Sequence, residues 1–340
     1  MEIKQIRMGI VGAGTWGRTH ASIYAEHLFA DPVAICDMNE ARAREIADEF
    51  GIRKVYTDYH DMAADEEIDA VAIVTPDFAH ADIACAMADA KKDILIEKPL
   101  ATTKEDIARI CEAVEKNGVR CMVDLHNRWN PPFNTAKQEI SSGKLGKPYT
   151  AYIRHSDVKW VATDMLSWAS KSSILWFLGS HSLDSLRWLV GSEAKRVYSV
   201  KKEGILKGLG VDVPDIYLTT IEFENGVVAH MENGWVTPNG NRNINDFRCS
   251  VMCTEGMISL DLSSHNLIEE EKATVPDILV SNMVFDRCKG LSYESIRDFV
   301  DRLVDGKEFR VTLEDSRRTA LAIIAILESA ETGMPVEVEY

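Results

Sequence analysis

The chain lacks an apolar segment long enough to cross a bilayer. Its longest apolar run, residues 320–327, is far shorter than the roughly 20 residues that a transmembrane helix needs. A secretory signal is not expected either, because Gly9, Gly12, Gly14 and Gly17 interrupt any apolar stretch near the N-terminus. We therefore expect neither a membrane protein nor a secreted one.

Positive charge is also scarce. The chain has 38 Lys and Arg residues against 54 Asp and Glu residues, which gives a formal net charge of −16. A surface with this balance repels phosphate backbones and anionic lipid headgroups. We therefore expect no nucleic-acid partner and no membrane partner.

Cysteine is infrequent and scattered. There are seven cysteines, an odd number, and no Cys-x-x-Cys pair. Such spacing matches neither a disulfide framework nor a common metal site. The sequence therefore predicts no bound metal and a reducing, cytoplasmic location.

Residues 6–123 alternate between strand and helix patterns. The almost fully apolar run Asp69–Val74 is typical of a strand that is covered on both faces of a parallel sheet. Thr102–Glu105 resembles a capping box, which would open a helix that closes at Asn117-Gly118. The predicted strands are Ile6–Val11, Pro32–Asp37, the run ending at Lys98, and Val119–Val123, with helices at Thr15–Phe29, Glu40–Phe50 and Ala79–Ala90. This order predicts a doubly wound parallel sheet, the Rossmann arrangement.

The pattern changes after Asp124. Residues from Lys195 to about Glu270 alternate like antiparallel strands, with hairpin turns predicted at Asn225-Gly226 and Glu255-Gly256. Other elements predicted here are a strand at Pro148–Ser156 and helices at Ser173–Val190, Ser292–Val304 and Leu313–Thr332. The sequence therefore predicts an α/β protein with an N-terminal domain, residues 1–123, and an α+β domain, residues 124–340.

A glycine-rich turn follows the first predicted strand and opens the first helix. Its residues are Gly12-Ala13-Gly14-Thr15-Trp16-Gly17. In a G-x-G-x-x-G turn the glycines allow a tight bend, close approach of a pyrophosphate and close packing of helix on strand. The turn predicts a dinucleotide site.

Asp37 supports that prediction and bears on the choice of dinucleotide. It lies twenty residues after Gly17 at the end of the second predicted strand, where a carboxylate accepts hydrogen bonds from ribose hydroxyls. The same charge would repel the 2′-phosphate of NADP, and no arginine follows it directly. NAD is therefore favoured over NADP.

Lys98 ends a short apolar strand within Glu97-Lys98-Pro99. Open α/β sheets bind ligands in the crevice beyond the carboxyl ends of their strands. A lysine in that position can exchange protons with a substrate or hold a developing negative charge. Taken alone, the tripeptide favours an ordinary strand end and turn over a functional site.

Together these motifs resemble the glucose–fructose oxidoreductase/inositol dehydrogenase family (Gfo/Idh/MocA). The resemblance extends over essentially the whole chain, in order. It is carried by the glycine-rich turn, Thr75-Pro76 with His80, Glu97-Lys98-Pro99, Arg128 with Pro131, Gly179-Ser180-His181-Ser182-Leu183-Asp184, and the segment Glu328–Val336.

The resemblance implies a Rossmann domain that binds NAD, followed by a substrate-binding and oligomerisation domain with a large open, mainly antiparallel sheet. It implies hydride transfer between nicotinamide and a hydroxyl carbon of a sugar, inositol or related polyol. It also implies a homodimer or homotetramer formed through the C-terminal sheet.

Site residues carry over from the same resemblance. Lys98 and His181 are the implied catalytic residues, with His181 as the acid/base partner of the reacting oxygen. Cofactor binding is expected at Gly12, Gly14, Thr15, Trp16, Gly17, Asp37, Thr75, Pro76, His80, Glu97, Lys98 and Arg128. The resemblance places substrate binding at Lys98 and His181, and the positions of His126, Arg154 and Phe177 in the sequence add these three residues. Arg154 and His155 alternate on their strand, so only one of the two can face the site.

Phe177 departs from the family pattern. Many family dehydrogenases have an aspartate four residues before the catalytic histidine, one helical turn away on the same face. Phenylalanine cannot orient an imidazole or raise its basicity, although it could stack on a substrate ring. Two other readings therefore stay open: an enzyme that oxidises its substrate transiently and recycles NAD during a lyase or glycosidase reaction, and an inactive dinucleotide sensor.

Overall fold

The computed structural model describes residues 5–241, 243–263, 282–284 and 287–340. Part of the strand pattern predicted up to about Glu270 therefore lies outside the described residues. The chain divides into two compact units, the first from Met1–His126 with Ser281–Arg317 and the second from Asn127–Val280 with Arg318–Tyr340. The assignment of cofactor binding to residues 1–123 and of substrate binding to residues 124–340 stays a prediction.

The first unit contains a parallel sheet of six strands in the order β3-β2-β1-β4-β5-β6. Its elements are β1 (Ile6–Val11), α1 (Thr15–Glu26), β2 (Ala30–Cys36), α2 (Glu40–Phe50), β3 (Lys54–Tyr56), α3 (Tyr59–Ala63), β4 (Ala70–Ile73), α4 (His80–Asp89), β5 (Asp93–Ile96), α5 (Lys104–Asn117) and β6 (Cys121–Val123). The strand order reverses between β1 and β4, so the predicted doubly wound sheet is confirmed.

Local signals set the helix ends in this sheet. Asn39 caps α2 by accepting a hydrogen bond from the Arg42 amide, and Gly51 ends the helix in the left-handed conformation. The capping box predicted at residues 102–105 is displaced by one residue. Thr103 is the N-cap of α5, and its hydroxyl accepts from the Asp106 amide at 3.1 Å.

The second unit contains a seven-stranded sheet in the order β12-β11-β7-β10-β9-β8-β15. Its elements up to residue 261 are α6 (Pro131–Ser141), β7 (Pro148–Asp157), α7 (Ser180–Val190), β8 (Ala194–Lys202), α8 (Ile205–Gly208), β9 (Ile216–Phe223), β10 (Val228–Gly234), β11 (Asn245–Cys253) and β12 (Met257–Asp261). Among the described strands of this second sheet only β7 and β10 are parallel neighbours, which confirms the mainly antiparallel sheet.

The remaining described elements complete both units. They are β13 (Asn282–Val284), β14 (Arg287–Lys289), α9 (Glu294–Asp305), α10 (Leu313–Thr332) and β15 (Val336–Glu337). The β13–β14 hairpin and α9 belong to the first unit, whereas β15 pairs with β8 at the edge of the second sheet. None of the helices in the described part of the chain has the length and apolar content needed to cross a membrane.

The two faces of the second sheet differ in character. On the inner face, Ile153, Met231 and Cys249 are buried, and α7 packs on β7 and β10. The outer face carries several large apolar side chains that are about two-fifths to one-half exposed: Tyr198, Val200, Leu218, Val228 and Met252. The outer face is therefore accessible to solvent. Because side chains alternate between the two faces of a strand, these apolar side chains all lie on the outer face.

Candidate functional site

The glycine-rich turn joins β1 to α1. Gly12 has a φ of +111°, and a Cβ atom there would lie 2.6 Å from the Val74 carbonyl oxygen. A Cβ on Gly17 would lie 1.9 Å from the Gly12 carbonyl oxygen. Gly14 is different, because nothing lies within 4 Å of its Cβ position. The outer two glycines are thus required by packing, while Gly14 leaves the backbone at the start of α1 open to a ligand, with Thr15 and Trp16 forming the first turn of α1.

Asp37 follows β2 and lies against this turn. One carboxylate oxygen accepts from the Ala13 amide at 2.7 Å, and the other accepts from the Asn39 amide at 2.8 Å. These bonds fix the carboxylate next to the glycines while leaving the side chain partly exposed. The arrangement suits the predicted role of accepting from ribose hydroxyls.

Lys98 lies just beyond the carboxyl end of β5, in a turn whose Lys98–Pro99 peptide bond is cis. The buried His80 braces this turn, because its Nδ1 is 2.8 Å from the Pro99 carbonyl oxygen and its Nε2 is 3.1 Å from the Thr75 carbonyl oxygen. Burial lowers the pKa of His80. His80 therefore joins the segment after β4, which contains Thr75 and Pro76, to the segment after β5.

His126 follows β6 at the same edge of the sheet. It is half-buried as a residue, and burial together with the positive charge of Lys98 lowers its pKa to about 3. The imidazole is therefore neutral at physiological pH, so it can exchange hydrogen bonds beside the Lys98 ammonium without adding a second charge.

The Glu97 side chain is buried among other polar side chains. Trp16 Nε1–H donates to Glu97 Oε1, and His20 Nε2 lies 3.2 Å from the same oxygen. One ring nitrogen of His20 and one carboxylate oxygen from each of Glu97 and Asp124 lie within 4.8 Å of one another. In the described residues this is the group of His, Cys, Asp and Glu side chains whose atoms are spaced closely enough to hold a metal ion. Sequence reasoning missed His20, whose only signal is its place three residues after Gly17.

In the second unit, His181 lies in the first turn of α7 and is buried. The His155 ring is 6.4 Å from the His181 ring, centroid to centroid, and stacks on Phe247 at 3.9 Å. Asn233 Nδ2 donates to the His155 carbonyl at 2.8 Å and to the Ser182 hydroxyl at 2.9 Å, which ties α7 to β7 and β10. These bonds fix the His181 end of the helix on the sheet.

Strand alternation separates the two candidates on β7. His155 lies on the inner face with His181, whereas Arg154 lies on the outer face and pairs with Glu232 at 3.3 Å and Asp246 at 3.1 Å. The position of Arg154 therefore removes it from the residues around His181. His155 is the candidate that sequence reasoning did not choose, since the sequence shows the alternation but not which face is covered.

Arg128 is held by Asp184 rather than extending from the surface. Its guanidinium donates to Asp184 through Nε at 3.0 Å and through Nη2 at 2.7 Å, and both side chains are buried. Arg187 Nη1 lies 3.8 Å from the same carboxylate and also binds Glu193. Asp184 is thus paired with two arginines, which supports a structural role for this carboxylate in the second unit.

Phe177 lies in a wider turn than the sequence predicts. Residues Leu175–Gly179 form a π-helix that continues directly into α7 at Ser180, so the helix predicted from about Ser173 to Val190 is present but is not α-helical over these five residues. The spacing between Phe177 and His181 therefore includes part of a π-helix rather than one regular α-helical turn. The Phe177 ring packs against Trp235 at 5.8 Å and Trp168 at 6.4 Å, as part of an aromatic cluster.

Comparison with known proteins supports the same interpretation. The profile of the family described as "Oxidoreductase family, NAD-binding Rossmann fold" matches residues 6–125, and that of the "GFO/IDH/MocA C-terminal domain" matches residues 133–259. The scyllo-inositol 2-dehydrogenase (NAD(+)) of Bacillus subtilis (strain 168) is 30% identical over 98% of this chain and 97% of its own. The chain belongs to the GFO/IDH/MocA family.

Further relatives of this GFO/IDH/MocA protein are dehydrogenases. The inositol 2-dehydrogenase of Salmonella typhimurium (strain LT2) is 29% identical over 96% of this chain and 95% of its own. A solved structure of levoglucosan dehydrogenase, in complex with NADH and L-sorbose, has 26% identity and a TM-score of 0.83 over 99% of both chains. The protein is an NAD-dependent oxidoreductase, and the open Gly14 backbone with the adjoining Asp37 carboxylate fits that cofactor.

Two matched glycine variants test this fit. Gly14→Ala is expected to fold normally and to weaken NAD binding, because the added methyl group occupies the space that a phosphate would approach. Gly17→Ala is expected to destabilise the fold itself, because its Cβ meets a backbone carbonyl. Thermal unfolding with and without NAD separates the two effects, and equal NAD stabilisation of Gly14→Ala and wild type would contradict the placement.

Proposed function

We propose that the protein is an NAD-dependent dehydrogenase of a sugar, an inositol or a related polyol. The observation that carries the proposal is Lys98, placed by the Glu-Lys-Pro turn beyond β5 and braced by His80. Carboxyl strand ends near the β1/β4 reversal are where doubly wound sheets bind ligands. The dehydrogenases among its relatives act on inositols or on levoglucosan by name, which supports a polyhydroxylated substrate.

In this proposal NAD supplies the hydride acceptor, and the side chains of the chain manage the proton and the charge. Oxidation of a carbinol breaks its C–H bond with transfer of hydride and breaks its O–H bond with release of one proton. Lys98 holds the negative charge that develops on the oxygen, by its ammonium charge and a hydrogen bond. His181 accepts the hydroxyl proton as general base.

Cofactor contacts in the proposal come from the open backbone at Gly14 to Trp16 and from Asp37, which accepts from the ribose hydroxyls. His80 and Glu97 support these elements from the interior, since both side chains are buried and bonded to protein groups. His126 is proposed as a neutral substrate contact beside Lys98.

The proposal is tested by assaying a panel of inositols, hexoses and uronic acids with NAD and with NADP. The expected result is NADH that accumulates in proportion to at least one polyol, with a lower rate for NADP because Asp37 repels a 2′-phosphate. Product release without accumulation of NADH would instead identify an enzyme that recycles its cofactor. Stabilisation by NAD with no turnover on any substrate would identify a sensor.

We also propose a cytoplasmic homo-oligomer with a role in carbohydrate metabolism. The outer face of the second sheet supports the oligomer, because Val200 and Leu218 are cross-strand neighbours and both are exposed. Apolar pairs on an open sheet face are typical of protein interfaces. Light scattering of the purified protein measures the oligomeric state, and a monomer would contradict this part of the proposal.

A further inference from the structure

The buried group in the first unit contains two acids and one histidine. His20 and Asp124 have no exposed surface, and Glu97 is 9% exposed. His20 lies on α1, Glu97 directly follows β5 and Asp124 directly follows β6. One ring nitrogen of the histidine and one oxygen of each carboxylate lie within 4.8 Å of one another. Two carboxyl groups at this spacing in a buried site can stay ionised together only if a cation lies between them, because carboxylates offer only acceptors, and otherwise at least one of them takes up a proton.

The neighbouring side chains supply hydrogen-bond donors to Glu97 but leave Asp124 without a well-placed one among the described residues. Trp16 and His20 face one Glu97 oxygen, and the other nitrogen of His20 faces the Tyr24 hydroxyl at 3.1 Å. Among the described residues, none donates a hydrogen bond in good geometry to either Asp124 oxygen, although the Ser295 hydroxyl from α9 is close enough to favour ionisation. The Glu97 carboxyl is the other acid next to Asp124.

Electrostatics decide the ionisation of this group. Burial, opposed by the Lys98 charge, raises the pKa of Glu97 to about 7, and burial together with the Glu97 charge raises the pKa of Asp124 well above its ordinary value. Burial lowers the pKa of His20 to about 4, so its ring is neutral. Two neighbouring carboxyls in such a site cannot both ionise near neutral pH.

We propose that Glu97 and Asp124 share one proton, so that the pair carries a single buried negative charge next to Lys98. The charge is fixed by the Trp16 and His20 contacts and shielded from water, so it acts on Lys98 more strongly than a surface carboxylate would. His126, whose pKa the Lys98 charge also lowers, is neutral and therefore adds no positive charge that would offset the buried negative charge. Glu97 and Asp124 are thus positioning residues that keep Lys98 in its ammonium form. This second step rests on the role of Lys98 proposed above, whereas the shared proton does not.

Infrared difference spectra between the wild-type protein and the Asp124→Asn variant test the shared proton directly. At about pH 8.5, above the pKa of about 7 that burial gives Glu97, the wild-type protein is expected to show the C=O stretching band of a protonated carboxylic acid, because one proton stays on the pair, and Asp124→Asn is expected to lack it. In that variant Glu97 alone remains, and the nearby Lys98 charge favours its ionised form. Absence of the band in wild type, or its persistence in Asp124→Asn, would overturn the proposal. So would one equivalent of a divalent metal that copurifies with wild type and is lost in Asp124→Asn, since a cation would then occupy the place of the proton.

The pH dependence of kcat/KM tests the effect on Lys98. Asp124→Asn retains one negative charge and is expected to keep the basic limb of the profile near its wild-type position. The double variant Glu97→Gln/Asp124→Asn has no charge there, so its basic limb is expected to move to lower pH by about one unit. An unmoved limb in the double variant, with NAD-induced stabilisation intact, would refute the action on Lys98. If Lys98→Ala kept full activity, the proposed function would fail while the infrared result still stood.

Discussion

Replacement of Lys98 by methionine or alanine is expected to lower kcat by at least ~10²–10³-fold, while NAD affinity is largely retained. Removal of one group that stabilises a developing oxyanion typically has an effect of this size. Methionine keeps the length of the side chain and removes only the charge and the donors. Stopped-flow or steady-state NADH formation measures kcat, and NADH fluorescence titration measures cofactor affinity.

Lys92 provides the matched control. It lies directly before β5, at the end of the strand opposite Lys98, and is buried with its ammonium donating to the Asp65 carbonyl at 2.7 Å and the Ile68 carbonyl at 3.1 Å. Lys92→Met is expected to reduce stability and leave kcat largely unchanged, because ligands bind at the carboxyl ends of the strands. Comparable losses of kcat in both variants would show that a lysine at either end of β5 matters for folding rather than for chemistry.

Short-range signals made much of the first unit predictable. The bounds of α2 follow from Asn39 and Gly51, and the glycine-rich turn fixes the joint between β1 and α1. Each of these depends on residues within a few positions of one another, which a sequence displays directly. The strand β3, with three residues, has too few positions for any period to emerge, and it was not predicted.

The contacts made by the candidate site residues were harder to predict from the sequence. The contact between His20 and Glu97 joins positions 77 residues apart, and no spacing rule relates a helix residue to a strand end at that separation. The choice between Arg154 and His155 depended on which face of β7 the helix α7 covers. The π-helix at Leu175–Gly179 has the same apolar content as an α-helix, so periodicity could not distinguish the two.

Loss of the Asp184 carboxylate is expected to have the largest effect on stability. Asp184→Ala should reduce the free energy of unfolding by about 3–5 kcal/mol, because it leaves the buried Arg128 charge uncompensated. For a unit of this size that corresponds to a decrease in Tm of roughly 6–20 °C. Thermal unfolding followed by circular dichroism measures it.

The control is Asp212→Ala, which removes the partner of an exposed pair, Lys207 Nζ–Asp212 Oδ1 at 3.1 Å. Exposed pairs contribute at most about 1 kcal/mol, so its Tm should stay close to that of wild type. The double variant Arg128→Met/Asp184→Leu removes both charges and should recover much of the stability lost in Asp184→Ala, because no unpaired charge stays buried. If the double variant were as unstable as Asp184→Ala, the loss would come from packing around Asp184 rather than from the charge of Arg128. The comparison thus separates the electrostatic role of Asp184 from its volume, and it does so without relying on any assay of activity.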